Sequence, residues 1–253
     1  MLKTNKNIDW IEQSAAHHPN KKFLIFGDGS LNFKQLAAEV IEAEFHIGAV
    51  KLKRGEKVGV ICNNNPAFII LVLAIWRKGA VPVVINPRLS DSEIAGLIEE
   101  AKPSFIFIHQ EQKKLYDKIE SARKILFPFD SGGYKRKGNP QYKNKNNDEA
   151  LILFTSGSTG KPKGVVLTFD NLTASAEAID SLIKTNNEDI WMASLPFYHI
   201  GGFSIIVRAL LKGSAIVIPK NLKTNNLVEE YKKYAPTLFS LVPTQLREFL
   251  SQN

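Results

Sequence analysis

Cysteine is almost absent from this chain. Cys62 stands alone among 253 residues, so no disulfide can close within it. Long apolar runs are also missing: the longest, Ala67 to Trp76, is far too short to span a bilayer. The opening residues, Met1 to Lys6, lack the apolar centre of a secretion signal, which makes the cytoplasm the expected compartment. No internal repeat is evident, which argues against a solenoid. No glycine fingerprint follows the apolar stretch Val58 to Cys62, so a dinucleotide site there is disfavoured. Low-complexity composition is missing too. With 44% hydrophobic and 23% charged residues, the chain can bury a sizeable core and is not globally disordered.

Charge of one sign is in excess, at +8 net. Much of the surplus is local. From Gln110 to Asn147 there are ten Lys or Arg against four Asp or Glu. Within that span Tyr134 to Asn147 is rich in Gly, Pro and Asn and reads as a solvated loop. A nucleic-acid face would need its cations ordered along one helix or sheet, and that pattern is lacking.

The rest of the chain alternates. Ile8 to Ala16 reads as a short helix, Phe23 to Phe26 and Leu31 to Phe33 as a hairpin, and Lys34 to Leu52 as a helix. Strands are expected at Val58 to Cys62, Ala80 to Ile85 and Ser104 to Ile108. Between them lie helices, one capped by Asn65 with Pro66 at its first position and the other running from Ser90 to Ala101. Buried apolar strands separated by helices imply a parallel sheet. Lys113 to Arg123 reads as a helix and Ile125 to Phe127 as a strand. A second block follows: strands at Leu151 to Phe154, Ile190 to Ala193, Ala215 to Ile218 and Thr237 to Val242, with helices between, one capped by Asn171, one over Gly202 to Leu211 and one over Asn226 to Tyr234. Thr244 opens a last helix. The expected fold class is α/β, with stacked, mostly parallel sheets and flanking helices. The expected subregions are about 1–148 and 149–253.

One stretch carries chemistry of its own. After the strand Leu151 to Phe154 comes T-S-G-S-T-G-K-P-K-G, residues 155–164, and then Val165 to Leu167 resume a strand. Small residues let a ligand approach the backbone, hydroxyls donate hydrogen bonds, and two ammonium groups supply charge. Those are the needs of a polyphosphate. The pattern is not a Walker loop, because Pro162 stands where the second glycine belongs. It is not a dinucleotide loop either, since Ser158 and Thr159 separate Gly157 from Gly160. A second cluster, Phe197-Tyr198-His199 followed by Gly201 and Gly202, sits just past a strand end, where α/β sheets place ligands.

Taken together, T-S-G-S-T-G-K-P-K-G and L-P-F-Y-H-I-G-G resemble two consecutive motifs of the adenylate-forming acyl-CoA synthetase superfamily. The resemblance extends over most of the chain from Lys57 onward. It implies an acid–CoA ligase that forms an acyl-adenylate and then a thioester, with ATP, Mg2+ and coenzyme A as co-substrates. It further implies that Thr155, Ser156, Gly157, Ser158, Thr159, Gly160 and Lys163 hold the phosphates. Phe197, Tyr198, His199, Gly201 and Gly202 would line the acid pocket, with Lys163 and His199 as the catalytic pair. The stretch from His199 to Leu210 looks most like the o-succinylbenzoate–CoA ligases of menaquinone biosynthesis, in which a basic residue commonly stands where Arg208 does. A guanidinium suits the carboxylate that such a dicarboxylic acid leaves unreacted. No metal ligand is assigned in the chain. Members often dimerise, so self-association is an expectation resting on the resemblance alone.

Family members also carry an aromatic-Gly-x-Thr-Glu loop, a Thr-Gly-Asp and a C-terminal lid with a lysine, none of which occurs before Asn253. The expectation is therefore an N-terminal part, with little turnover by itself. Two further readings stay open: another aryl- or acyl-CoA ligase, and a non-catalytic nucleotide- or acid-binding module.

Overall fold

The computed structural model describes residues 9–120, 123–129, 143–155 and 162–252. In chain order these form α1 (Trp10–His17), β1 (Lys22–Phe26), β2 (Gly29–Asn32), α2 (Phe33–Gly48), β3 (Lys57–Ile61), α3 (Pro66–Arg77), β4 (Val81–Ile85), α4 (Asp91–Ala101), β5 (Phe105–His109), α5 (Lys113–Lys118) and β6 (Lys124–Phe127). Then come β7 (Glu149–Thr155), β8 (Lys163–Thr168), α6 (Phe169–Ile183), β9 (Ile190–Met192), α7 (Ile200–Lys212), β10 (Ala215–Ile218), α8 (Thr224–Tyr234) and α9 (Pro243–Gln252). The expected α/β class is what is found, with two sheets in which parallel pairs predominate.

The chain divides into two compact units that interleave in sequence. One comprises Trp10–Ala37 and Leu172 onward; the other comprises Asp9 and Ala38–Asn171. The sequence reading places a single boundary near residue 148. The compact units instead part within α2 and α6, because β1 pairs in parallel with β10, far along the chain.

In the first unit the strand order is β2-β1-β10-β9, with an antiparallel β1–β2 hairpin at one edge. Met192, Val217, Leu227 and Phe249 form a core there, joined by Tyr231 and Phe239. Thr237 to Val242, expected as a strand, makes only one bridge, Leu238 to Trp191. Beyond it the Ser194 amide turns to the Met192 carbonyl, and only the Ser194 hydroxyl reaches the Ser240 carbonyl, at 2.6 Å.

In the second unit the order is β6-β5-β3-β4-β7-β8, parallel except for the last pair. All five residues of β4 are buried, as befits a strand covered on both faces. Ile61, Val83, Ile106, Ile108 and Ile152 pack with Ile94 and Leu97 of α4. Cys62 is fully buried, and desolvation pushes its thiol pKa well above the ordinary value, so the group is inert packing. Arg77 is held by two carboxylates, Glu44 at 2.9 Å and Asp9. The Trp76 indole donates to the Ala150 carbonyl at 2.6 Å, fastening α3 to β7.

Helix ends follow their side chains. Asn65 accepts from the Ala67 amide at 2.9 Å with Pro66 at the first position, as its sequence implies. Asn65→Ala is expected to cost about 1 kcal/mol, measurable as a lower urea midpoint with an unchanged slope. Ser90 and Glu93 close a reciprocal capping box on α4. Three helix limits differ from expectation by three residues or more; one is α2, which ends at Gly48 rather than Leu52. α6 is capped by Thr168, not Asn171: the Thr168 hydroxyl accepts from the Asn171 amide, and the Asn171 side chain accepts from the Thr168 amide, both at 3.1 Å. α5 ends at Lys118 rather than Arg123, because Ile119 turns extended and the Lys124 ammonium takes the Tyr116 and Ile119 carbonyls at 2.6 Å.

Candidate functional site

β7 is an inner strand. Ala150, Leu151, Ile152 and Leu153 are buried, and β8 pairs with it antiparallel to form the sheet edge. The last pair of that ladder is Thr155 opposite Lys163, and both residues are exposed. Side chains at directly opposed positions stand about 5 Å apart at Cβ. A hydroxyl and an ammonium therefore project together from the end of the hairpin. Ser156, Gly157, Ser158, Thr159 and Gly160, assigned to the phosphates from sequence, lie outside the described residues.

The aromatic–histidine segment belongs to the first unit. Ser194 begins it, fully buried, with its hydroxyl on the Ser240 carbonyl and its own carbonyl accepting from the Gln245 side chain at 3.4 Å. Phe197 is fully buried and Tyr198 nearly so, whereas His199 is exposed. The Tyr198 and His199 rings meet edge to face, with centroids 4.8 Å apart. His199 is the N-cap residue of α7, with its carbonyl accepting from the amides of Gly202 and Phe203. Its side chain makes no capping hydrogen bond and is left for other partners. Partial desolvation lowers the His199 pKa below the ordinary histidine value, so the ring is neutral at neutral pH. Its neighbours Phe197, Tyr198, Gly201 and Gly202 are thus gathered at the positive end of a helix thirteen residues long.

Gly202 lets the segment cross itself. A Cβ built there would stand 2.1 Å from the Pro196 carbonyl oxygen and 2.6 Å from that of Leu195. Gly201 would meet only the Leu195 side chain, at 3.0 Å.

Arg208 lies farther along α7. Nine residues of helix rise about 13 Å and turn to the other side of the axis. It lines a cavity between α6 and α7 with Thr173, Asp180, Thr185 and Lys212; Phe197, Tyr198, His199, Gly201 and Gly202 are not part of that lining. Its guanidinium sits over the Trp191 ring, 5.6 Å from the centroid. The Arg208 Nε is buried without a hydrogen-bond partner, and desolvation lowers the pKa of the group. Lys212 in the same cavity is already committed to Asp180, at 2.5 Å.

Sequence reasoning missed three residues that set this geometry. Trp191 supplies the ring beneath Arg208, and Ser194 and Gln245 fix the start of the aromatic segment. Trp191 was legible only as a strand residue. Ser194 and Gln245 meet across 51 positions, and nothing local marks that contact.

Residues 11–253 match the family model of AMP-binding enzymes, and the chain belongs to that family. Among curated proteins, the 2-succinylbenzoate–CoA ligase of Bacillus pumilus is 28% identical over 98% of this chain. That of Bacillus cereus is 27% identical over 100% of it. In each case the chain spans about half, 51%, of the relative's length. Among solved structures, o-succinylbenzoate CoA synthetase from Bacillus subtilis in complex with the acyl-adenylate intermediate OSB-AMP is similar at a TM-score of 0.86 and 24% identity, over 97% of this chain and 64% of that one. The inhibitor-bound N-terminal domain of FACL13 from Mycobacterium tuberculosis gives 0.86 at 21% identity, over 97% and 65%. These likenesses establish the fold.

Proposed function

We propose that this chain is the nucleotide- and acid-binding part of an ATP-dependent acid–CoA ligase, with o-succinylbenzoate as the acid. The observation that carries the reading is the hairpin end, where Thr155 and Lys163 face each other beside a hydroxyl- and glycine-rich run in an AMP-binding family member. The similarity to 2-succinylbenzoate–CoA ligases supports the choice of acid.

A carboxylate oxygen attacks the α-phosphorus of ATP, and the bond to the β-phosphate bridge breaks to release pyrophosphate. The coenzyme A thiolate sulfur then attacks the acyl carbon and AMP leaves. The acid is already a nucleophile, so the protein's contribution is alignment and neutralisation of charge. Thr155, Ser156, Ser158 and Thr159 donate to phosphate oxygens, Gly157 and Gly160 permit close approach, and Lys163 supplies charge. Phe197 and Tyr198 wall the acid pocket, Gly201 and Gly202 leave room in it, and neutral His199 orients the acid without cancelling its charge. Magnesium and coenzyme A enter as co-substrates, the metal with ATP.

Acid-dependent exchange of labelled pyrophosphate into ATP tests the reading. It would be measured with this chain alone and with the chain fused to the second half of the Bacillus pumilus ligase. Exchange is expected from the fusion and little from the chain alone. A folded fusion that binds ATP yet exchanges nothing with any aryl acid would overturn the assignment.

Arg208 is proposed, on the resemblance, as the partner of the second carboxylate, which would have to enter the cavity between α6 and α7 to meet it. Its support is a desolvated guanidinium whose Nε has no protein partner. Arg208→Met is expected to raise KM for o-succinylbenzoate by about 10–100-fold, the loss of one charged hydrogen-bonded contact. The same change should leave KM for 4-oxo-4-phenylbutanoate, which lacks the ring carboxylate, nearly unaltered. Equal effects on both acids would remove Arg208 from that role and favour another aryl acid.

A further inference from the structure

The last helix of the first unit is apolar over a wider sector than that unit covers. At about 100° per residue, Phe249, Leu246, Leu250 and Val242 just ahead of the helix fall within about 100° of one another around the α9 axis. Thr244, Arg247, Glu248 and Ser251 take the other side. Only Phe249 of the apolar four is buried, its ring against those of Tyr231 and Phe239 at 5.5 and 5.6 Å. Val242, Leu246 and Leu250 are 47%, 46% and 67% exposed. The helix is also fixed in rotation. Gln245 accepts from the Val242 amide at 3.2 Å and donates to the Ser194 carbonyl at 3.4 Å, and Glu248 accepts from the Thr224 hydroxyl. It cannot roll the three side chains inward without breaking those bonds.

A single exposed leucine is ordinary, whereas a row of three that continues a buried aromatic is a face built to be covered. Leu182 and Ile183, at the end of α6, are comparably exposed but consecutive, so they point apart and form no row. The relatives indicate what covers the α9 face. The FACL13 structure is itself an N-terminal domain, and this chain spans 65% of it. Against the Bacillus pumilus ligase the share is 51%. The domain these proteins share is thus larger than the part matched here, and its remaining elements need an apolar surface to pack on.

We infer that the Val242–Leu246–Leu250 face of α9 is a docking surface for the polypeptide that makes up the remainder of an AMP-binding domain, and that this chain takes up that polypeptide when it is supplied as a separate molecule. The inference rests on the α9 face and on family membership, and it stands whichever acid the ligase reading requires.

The full chain, co-expressed with a tagged second half of the Bacillus pumilus ligase and purified through the tag, tests the inference. Equimolar capture that survives ~0.5 M salt is expected, because an apolar contact is not screened. L246D/L250D puts two charges on the face and should be captured at roughly a tenth of that level or less. L182D/I183D, at the exposed pair away from α9, should be captured like the parent. All four positions lie at the surface, so both double variants should melt within about 2 °C of the parent. Should L246D/L250D not fold, L246Q/L250Q takes its place with the same expected loss. No capture of the parent, undiminished capture of the α9 variant, or equal loss in both variants would each overturn the inference. So would a chain that dimerises through α9 in sedimentation equilibrium and takes up no second half, the partner then being a second copy. The pyrophosphate exchange of the fusion reads the ligase assignment separately, since its two parts are already joined. Exchange without capture would sink this inference alone, and capture without exchange would sink the ligase reading alone.

Discussion

Replacing Lys163 with alanine is expected to slow acid-dependent pyrophosphate exchange by about 10²–10³-fold in the fusion described above, the loss of roughly one strong transition-state contact. The reason lies in where β8 begins. Lys163 is the first residue of the strand and pairs with Thr155, the last residue of β7. Its backbone is fixed by a ladder of six residue pairs rather than by a freely turning loop. A charge so placed needs little reorganisation when negative charge builds up on the departing pyrophosphate. Ion pairing in water would be worth far less, because an exposed lysine close to phosphate is screened. The effect should therefore appear mainly in the rate of exchange at saturating ATP, with a smaller change in KM for ATP. Lys163→Arg keeps the charge but not its compact form, and should recover part of the rate. An exchange rate unchanged in Lys163→Ala would take Lys163 out of the site. The reading would then rest on the hydroxyls alone.

The parts of this protein visible in its sequence are those fixed by neighbours within one or two turns. The Asn65–Pro66 start of α3, the acidic first turn of α4 and the Gly213 stop of α7 all depend on a few consecutive residues, and the structure has each where it was expected. The buried run of β7 could be read for the same reason, since an inner strand needs apolar residues on both faces. What escaped depends on distant chain. β1 belongs with β10, so compact units cut across the boundary that alternation alone suggested. Leu238 pairs with Trp191 for a single bridge, since the Ser194 amide next in line turns back to the Met192 carbonyl. The α6 cap was missed by three residues, since Thr168 and Asn171 both suit a cap and only their mutual bonds decide which is which. The candidate site follows the same rule. Its motif residues were readable, whereas Gln245, which holds Ser194 in place, was not.

Gly202→Ala should damage the aromatic–histidine segment more than any other single methyl group added there. The new carbon would lie 2.1 Å from the Pro196 oxygen, 2.5 Å from its carbonyl carbon and 2.6 Å from the Leu195 oxygen. All three are backbone atoms, and none can swing aside as a side-chain end would. Pro196 has its φ locked by its ring, and its carbonyl is bound to the His199 amide at 3.1 Å. The Leu195 end is tethered through Ser194 to Ser240 and Gln245. Room can be made only by prising the first turn of α7 off the Leu195–Pro196 segment. That would also displace Tyr198 and His199. The expected cost is about 3 kcal/mol, at the upper end for overpacking. It would show as a fall in melting temperature of roughly 6–12 °C for a chain of this size. Gly201→Ala is the matched control. Its methyl meets only the Leu195 Cδ1, a movable side-chain end, and alanine is the better helix former by about 1 kcal/mol. Its melting temperature should stay within about 2 °C of the parent. In the fusion, Gly202→Ala should also abolish acid-dependent exchange while ATP binding at the hairpin persists, because the two features belong to different compact units. If Gly202→Ala and Gly201→Ala melt alike, the Pro196 carbonyl does not lie against the start of α7. The proposed role of Gly202 in shaping the acid pocket would then fall with it.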